Sequence, residues 1–217
     1  MTKATYELTF TEMALGSKPS NEGVFTDYIA ANKKDGVDPE EVAAAKEAEE
    51  RVKESITVFH RMEDGKTPMV WNYQIKGLAK ESCGALRRVD GTLSAKIASY
   101  KTIIDTLVFV GPRKIPLVLP EGGEVGVFER PLRAETMQGP RVALAKSETV
   151  PAGTKMAFEV TFMTPKVGKS DKVVDLKEAF EEWLDYGELH GFGQFRNGSY
   201  GTFTWREIKP EDTEKAE

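Results

Sequence analysis

Gly191-Phe192-Gly193-Gln194-Phe195-Arg196-Asn197-Gly198-Ser199-Tyr200-Gly201 lies between an amphipathic helical pattern and a short alternating strand. The stretch holds four glycines and one arginine. Glycine has no Cβ and reaches φ > 0, so it suits backbone that turns tightly or presses against a large neighbour. Two roles are open for such a loop. Its freed N–H groups, with Arg196 among them, suit an anionic ligand such as a phosphate chain. Alternatively it closes the domain, with Gly201 relieving crowding at a strand start. Upstream, 173–186 places Leu176, Phe180, Trp183 and Leu184 on one side, a helix. Downstream, 200–208 alternates as a final strand.

Further out, Tyr6, Leu8 and Phe10 alternate with Glu7, Thr9 and Thr11 in a strand over 6–15. A short helix is expected over 23–32. Asp38-Pro39-Glu40-Glu41 starts another, running to about Ser55, with the cap, proline and acids that favour a helix N-terminus. Strands are expected over 56–61 and 69–73 around the turn Glu63-Asp64-Gly65-Lys66, and a helix over 75–86. Buried strands are expected over 103–110 and 114–119 around Gly111-Pro112, and further strands over 124–129, 141–147 and 155–163. The segment 130–140 is expected to protrude as a hairpin or loop, and 166–172 to connect. This order predicts an α+β fold: a ferredoxin-like, RNA-recognition-like antiparallel sheet with helices on one face and inserted hairpins. One domain is expected over 1–209, with a helical insertion at 33–55 and an acidic tail at 210–217. A Rossmann reading fails, because alternating βα units and a phosphate-loop fingerprint after a first strand are both absent.

Composition narrows the classes. The 217 residues are 40% apolar. They contain no apolar run of about eighteen, so no membrane span is expected. Met1 to Tyr6 lacks an apolar signal region, which points to the cytoplasm. The single cysteine, Cys83, excludes an internal disulfide and any multi-cysteine zinc site, and reads as a core residue. No cofactor or metal is expected. The net charge of −5 is unevenly spread: 34–54 carries −4 and 210–217 carries −3, whereas 60–146 carries +5. A basic middle is compatible with a polyanionic partner.

Three stretches together resemble the RAMP superfamily of CRISPR systems, most closely its backbone-forming subunits. The first is the glycine-rich loop, where Gly191, Gly193, Arg196 and Gly201 match the family pattern; Ser199 takes a glycine position and Gly198 falls one place early. The second is Tyr73-Gln74-Ile75-Lys76-Gly77-Leu78-Ala79-Lys80, similar to the family's hydrophobic–Lys–Gly entry into a helix. Here Trp71-Asn72-Tyr73-Gln74 replaces the Pro-Gly-Ser-Ser of many members. The third is Ser147-Glu148-Thr149-Val150-Pro151-Ala152-Gly153-Thr154, similar to the acid–x–Val–Pro–x–Gly–Thr turn before a late strand.

The resemblance implies a protein that holds a guide-like RNA by its backbone, with RNA and CRISPR-type subunits, or copies of itself in a filament, as partners. Lys76 and Lys80 lie one helical turn apart, Arg87 and Arg88 follow, and Arg196 sits in the loop. The expectation is one phosphate-gripping strip that includes Gly191, Gly193 and Gly201. By resemblance, Arg130, Arg133 and Arg141 would hold phosphates around a projecting hairpin, with Met137 wedging a base. No catalytic residue is assigned. A guide-processing nuclease would centre on His60 as general acid or base. Asp64 resembles a loop aspartate with which some backbone subunits cut RNA, yet Glu-Asp-Gly-Lys is also a hairpin turn. His190, beside the glycine loop, is a candidate ribose or phosphate contact. A different class of function is a solitary, phage-borne copy of the fold that takes a subunit's place, its acidic segments imitating nucleic acid.

Overall fold

The computed structural model describes residues 1–20, 56–136, 139–163 and 174–209; between 132 and 144 it describes backbone alone. The expected helices over 23–32 and 38–55, the connector 166–172, Met137 and the acidic tail lie outside the described residues.

Strand β1 is Thr2–Phe10, and its alternation sets the core: Ala4, Tyr6, Leu8 and Phe10 point inward. The expected strand to Leu15 is split, with β2 at Ala14–Leu15 and β3 at Lys18–Pro19. Strands β4 (Ile56–Val58), β5 (His60–Arg61) and β6 (Pro68–Trp71) lead directly into helix α1 (Asn72–Leu86). Next come helix α2 (Tyr100–Leu107), β7 (Val108–Gly111) and β8 (Lys114–Pro116). A long hairpin, β9 (Gly126–Thr136) and β10 (Gly139–Val150), precedes β11 (Lys155–Phe162), helix α3 (Leu176–His190) and β12 (Phe203–Ile208).

The central sheet has the order β12-β1-β11-β7, with every neighbouring pair antiparallel. Taken with α1 and α3, the chain order is strand, helix, strand, strand, helix, strand. This is the ferredoxin-like α+β plan. Met156, Phe158, Val160 and Phe162 of β11 join the inward side chains of β1 against Ile75, Leu78, Phe180 and Trp183 of the helices. The Trp183 indole N–H donates to Ser94 Oγ at 2.8 Å, which satisfies its one polar atom inside this core. Truncating one such buried ring to alanine costs about 3–5 kcal/mol.

The opposite sheet face is polar. Glu7 of β1 meets Arg206 at 2.9 Å and Lys155 at 3.6 Å, and Lys3 meets Glu159 at 3.0 Å. One buried and one solvated face is the usual antiparallel arrangement. No helix among the described residues is long and apolar enough to cross a membrane.

Two further expectations change. The apolar run over 103–110 is not one strand: residues 100–107 form α2 and only Val108–Gly111 continues as β7. Ile104 is buried while Thr102, Asp105 and Thr106 face out, a helical rather than a twofold pattern. The hairpin strands also run farther than 124–129 and 141–147. Their ladder is unbroken from Gly126↔Thr149 to Thr136↔Gly139, so 130–140 is ladder nearly to its tip.

Candidate nucleic-acid interface

At the end of α3, Gly191 adopts φ 83° and its N–H returns to Gly187 O at 2.8 Å. The loop then closes on itself. Phe192 N–H donates to Gly201 O at 2.8 Å, and Gly201 N–H to Met13 O at 2.9 Å. A Cβ on Gly201, which has φ 72°, would stand 2.0 Å from Phe192 O; one on Gly191 would stand 2.5 Å from Tyr200 O. These two glycines are therefore required by the loop's own closure, whatever it binds. Gly193, at φ 95°, passes beside Leu15 O of β2. What projects is the stretch from Gln194 to Tyr200.

That stretch meets the base of the β9–β10 hairpin. Arg130, opposite Ala145 in the ladder, lays its guanidinium 4.5 Å over the Phe195 ring and donates to Ser147 Oγ at 3.2 Å. Its Nε is buried with no hydrogen-bond partner among the described residues. Ser147 and Thr57 share a hydroxyl contact of 2.8 Å, and Thr57 donates to Gln194 Oε1 at 3.3 Å. Phe195, 42% exposed, stacks on Tyr200 with centroids 5.5 Å apart, and Tyr200 leans on Phe128 at 5.2 Å. Loop, hairpin and β4 thus converge on one row of rings ending in a cation.

The other expected cations are distributed differently. Arg196 pairs with Glu81 of α1, and His190 Nε2 meets the same carboxylate at 3.0 Å. Partial burial pushes the Glu81 carboxyl up, but the Arg196 and His190 hydrogen bonds outweigh it and hold the group below its ordinary range. Lys80 pairs with Asp105 of α2 at 2.6 Å, and Lys76 donates to Asp105 O at 3.2 Å while lying over Phe109. Burial lowers the Lys76 pKa. Glu81 follows Lys80 by one residue, about 100° around the helix. The lysines accordingly face α2, whereas Arg196 sits on the α3 side.

Arg87, over the Tyr100 ring at 5.1 Å, and exposed Arg88 lie at the far end of α1. That helix begins at the opposite end of the sheet, where Asn72 N–H donates to Arg113 O at 3.0 Å. Fifteen helical residues span about 22 Å. Lys76, Lys80 and Arg87 stand at i, i+4 and i+11, so they share the side of α1 that packs on α2, whereas Arg196 stands beside Glu81 on the α3 side. The expected single strip is divided between these two sides. Arg133 and Arg141 belong to the hairpin beyond Arg130, opposite Val142 and Ala134. Gly191, Gly193 and Gly201 share the loop with Arg196, which meets His190 at Glu81, and Arg130 reaches the same loop at Phe195.

Three separated motifs share the end of the sheet where β1 finishes. Gly153 N–H donates to Phe10 O at 2.7 Å, Gly201 N–H reaches Met13 O, and Gln74 Nε2 reaches Ser17 Oγ at 3.5 Å. Glu148 accepts from Phe59 N–H at 2.8 Å and from Arg61, tying the third motif to β5. Asp64 builds its turn: its oxygens accept from the N–H groups of Lys66 and Thr67, both at 2.9 Å, and from the Thr67 hydroxyl. The Thr67 hydroxyl and the two amides lower the Asp64 pKa. His60 lines a small cleft with Leu15, Gln74, Phe192 and Gly193, and burial, then Lys18, holds its pKa down. Sequence reading missed Gln194, Phe195 and Ser147. Their signal was position alone, inside the first and third motifs.

No family model matches this sequence, and no curated protein matches it. Among solved structures, the chain is similar to one from the cryo-EM structure of the Type III-B Cmr-beta bound to cognate target RNA. Identity is 11% and TM-score 0.46, covering 95% of this chain and 61% of that one. A chain of a Type IV-B CRISPR complex is similar at 11% identity and TM-score 0.49, with 96% and 91% covered. This chain therefore spans 61% of the length of the first of these.

Proposed function

We propose that the protein is an RNA-binding subunit of the RAMP type, holding a guide-like RNA by its sugar-phosphate backbone within a CRISPR-type ribonucleoprotein. The observation that carries the reading is Arg130. Its guanidinium stands at the junction of hairpin and glycine loop, over an exposed ring. Arg130 has no carboxylate partner among the described residues, and a guanidinium is well suited to phosphate oxygens. The adjoining rings Phe195 and Tyr200 offer π-faces to unpaired bases, which a backbone-tracking groove uses without sequence preference. The polar face of the central sheet, occupied by Glu7, Glu159 and their cations, is not where RNA is expected to lie.

The test is fluorescence anisotropy of a labelled single-stranded RNA across a salt series. Arg130→Gln is expected to weaken binding and make the slope of log K against log salt shallower by about 0.7, the value for one phosphate contact on a single strand. The pair Arg87→Gln and Arg88→Gln is expected to leave affinity unchanged. An Arg130→Gln protein with wild-type affinity and slope overturns the reading.

A further inference from the structure

A second group of rings and cations sits where β6 becomes α1, outside the row around Arg130. Trp71, the last residue of β6, fixes its backbone by donating its N–H to Gln74 Oε1 at 2.7 Å. Tyr73, two residues on and 60% exposed, stacks with Trp71 at a centroid distance of 6.3 Å and 13° between planes. The three-stranded sheet β5-β6-β8 supplies the rest. Lys114 pairs with Trp71 in register, and Lys114 Nζ and Arg113 Cζ lie 5.9 and 5.5 Å from the Trp71 ring centre. His60 meets the same ring edge-on at 5.5 Å.

Two of the three indoles have clear structural partners: Trp183 donates to Ser94, and Trp205 donates to Asp185 at 2.9 Å. The Trp71 indole N–H has no hydrogen-bond partner among the described residues, and Arg113 is exposed with no carboxylate partner among them. Lys114 is held by the Glu63 carboxylate, but nothing in the core explains a mostly exposed tyrosine stacked on this tryptophan or Arg113 brought to its ring. A π-face with positive charge beside it complements a base joined to its phosphate.

We infer that Tyr73 and Trp71 stack an unpaired base of single-stranded RNA, with Arg113 on the adjoining phosphate. This rests on the proposed RNA-binding reading and adds a second contact point to it. His60 links the two, since it touches Trp71 and lines the cleft that also contains Gly193 and Gln74.

The test titrates the full chain with a decameric oligoadenylate and with the same decamer carrying abasic riboses, read by anisotropy and intrinsic tryptophan fluorescence. Wild type is expected to show saturable quenching with the intact decamer and weaker binding of the abasic one. Tyr73→Ala is expected to lose about 5- to 160-fold in affinity, the range for one aromatic–base stack. Tyr73→Phe is expected to keep wild-type affinity. Circular dichroism checks that the alanine variant is folded. If RNA binds with the expected salt dependence but Tyr73→Ala matches wild type and no quenching occurs, the stacking site is overturned while the RNA reading stands. That result, accompanied by loss of a co-purifying protein from the Tyr73→Ala variant, makes the patch a protein contact instead. Absence of RNA binding by wild type overturns both.

Discussion

Gly201 and Gly77 both belong to stretches that resemble RAMP motifs, yet their surroundings differ. A Cβ on Gly201 would collide with Phe192 O at φ 72°, whereas a Cβ on Gly77 meets nothing within 4 Å. Gly201→Ala is expected to cost about 2–5 kcal/mol from strain and overlap together. Gly77→Ala, on an exposed helix position, is expected to stabilise by about 0.5–1 kcal/mol. Urea denaturation midpoints check both, and equal midpoints would remove the closure account of the loop. At this scale the sequence was legible in part. It marked Gly191, Gly193 and Gly201 as special, but a glycine pattern does not distinguish a backbone that must approach itself from one that must approach a ligand. The same holds for Arg196. Its charge was visible; that Glu81 would take it depended on how α1 and α3 lie together.

Among the elements, the β9–β10 hairpin stands apart from the core. Its backbone ladder runs from Gly126↔Thr149 to Thr136↔Gly139, and none of the described side chains between 126 and 131 belongs to the buried cluster. Replacing residues 131–144 by Asn-Gly keeps Arg130 opposite Ala145 and supplies a two-residue turn that suits strand twist. The shortened protein is expected to melt within a few degrees of wild type while losing affinity for RNA. A collapse of the melting temperature would mean that the arm supports the fold, and unchanged affinity would free it from binding. The length of these strands was not readable, because Arg130 to Pro140 is polar and lacks a clean alternation. Helix α2 was misread for a related reason. Six to eight apolar and threonine residues fit a buried strand or a short helix equally well, and only packing of Ile104 beneath α1 decides.

For the whole molecule, periodicity sufficed to predict the ferredoxin-like plan, since β1, α1, β11, α3 and β12 each carry a strong pattern. Charge did not suffice to place the cations. A local excess over 60–146 is a property of the sequence, while a common surface requires that side chains share an end and a face. Helix α1 turns Lys80 and Arg87 toward α2 and Glu81, with Arg196, toward α3, so the proposed interface is the hairpin base and the glycine loop, with the Trp71 patch beyond the cleft. The central claim is that this end of the sheet grips RNA. Ultraviolet crosslinking of the protein bound to single-stranded RNA, followed by peptide mapping, reads the surface directly. Crosslinks are expected in peptides containing Phe195 to Tyr200 and Phe128 to Arg130; crosslinks confined to Arg87 and Arg88, or to the sheet face around Glu7, would contradict it.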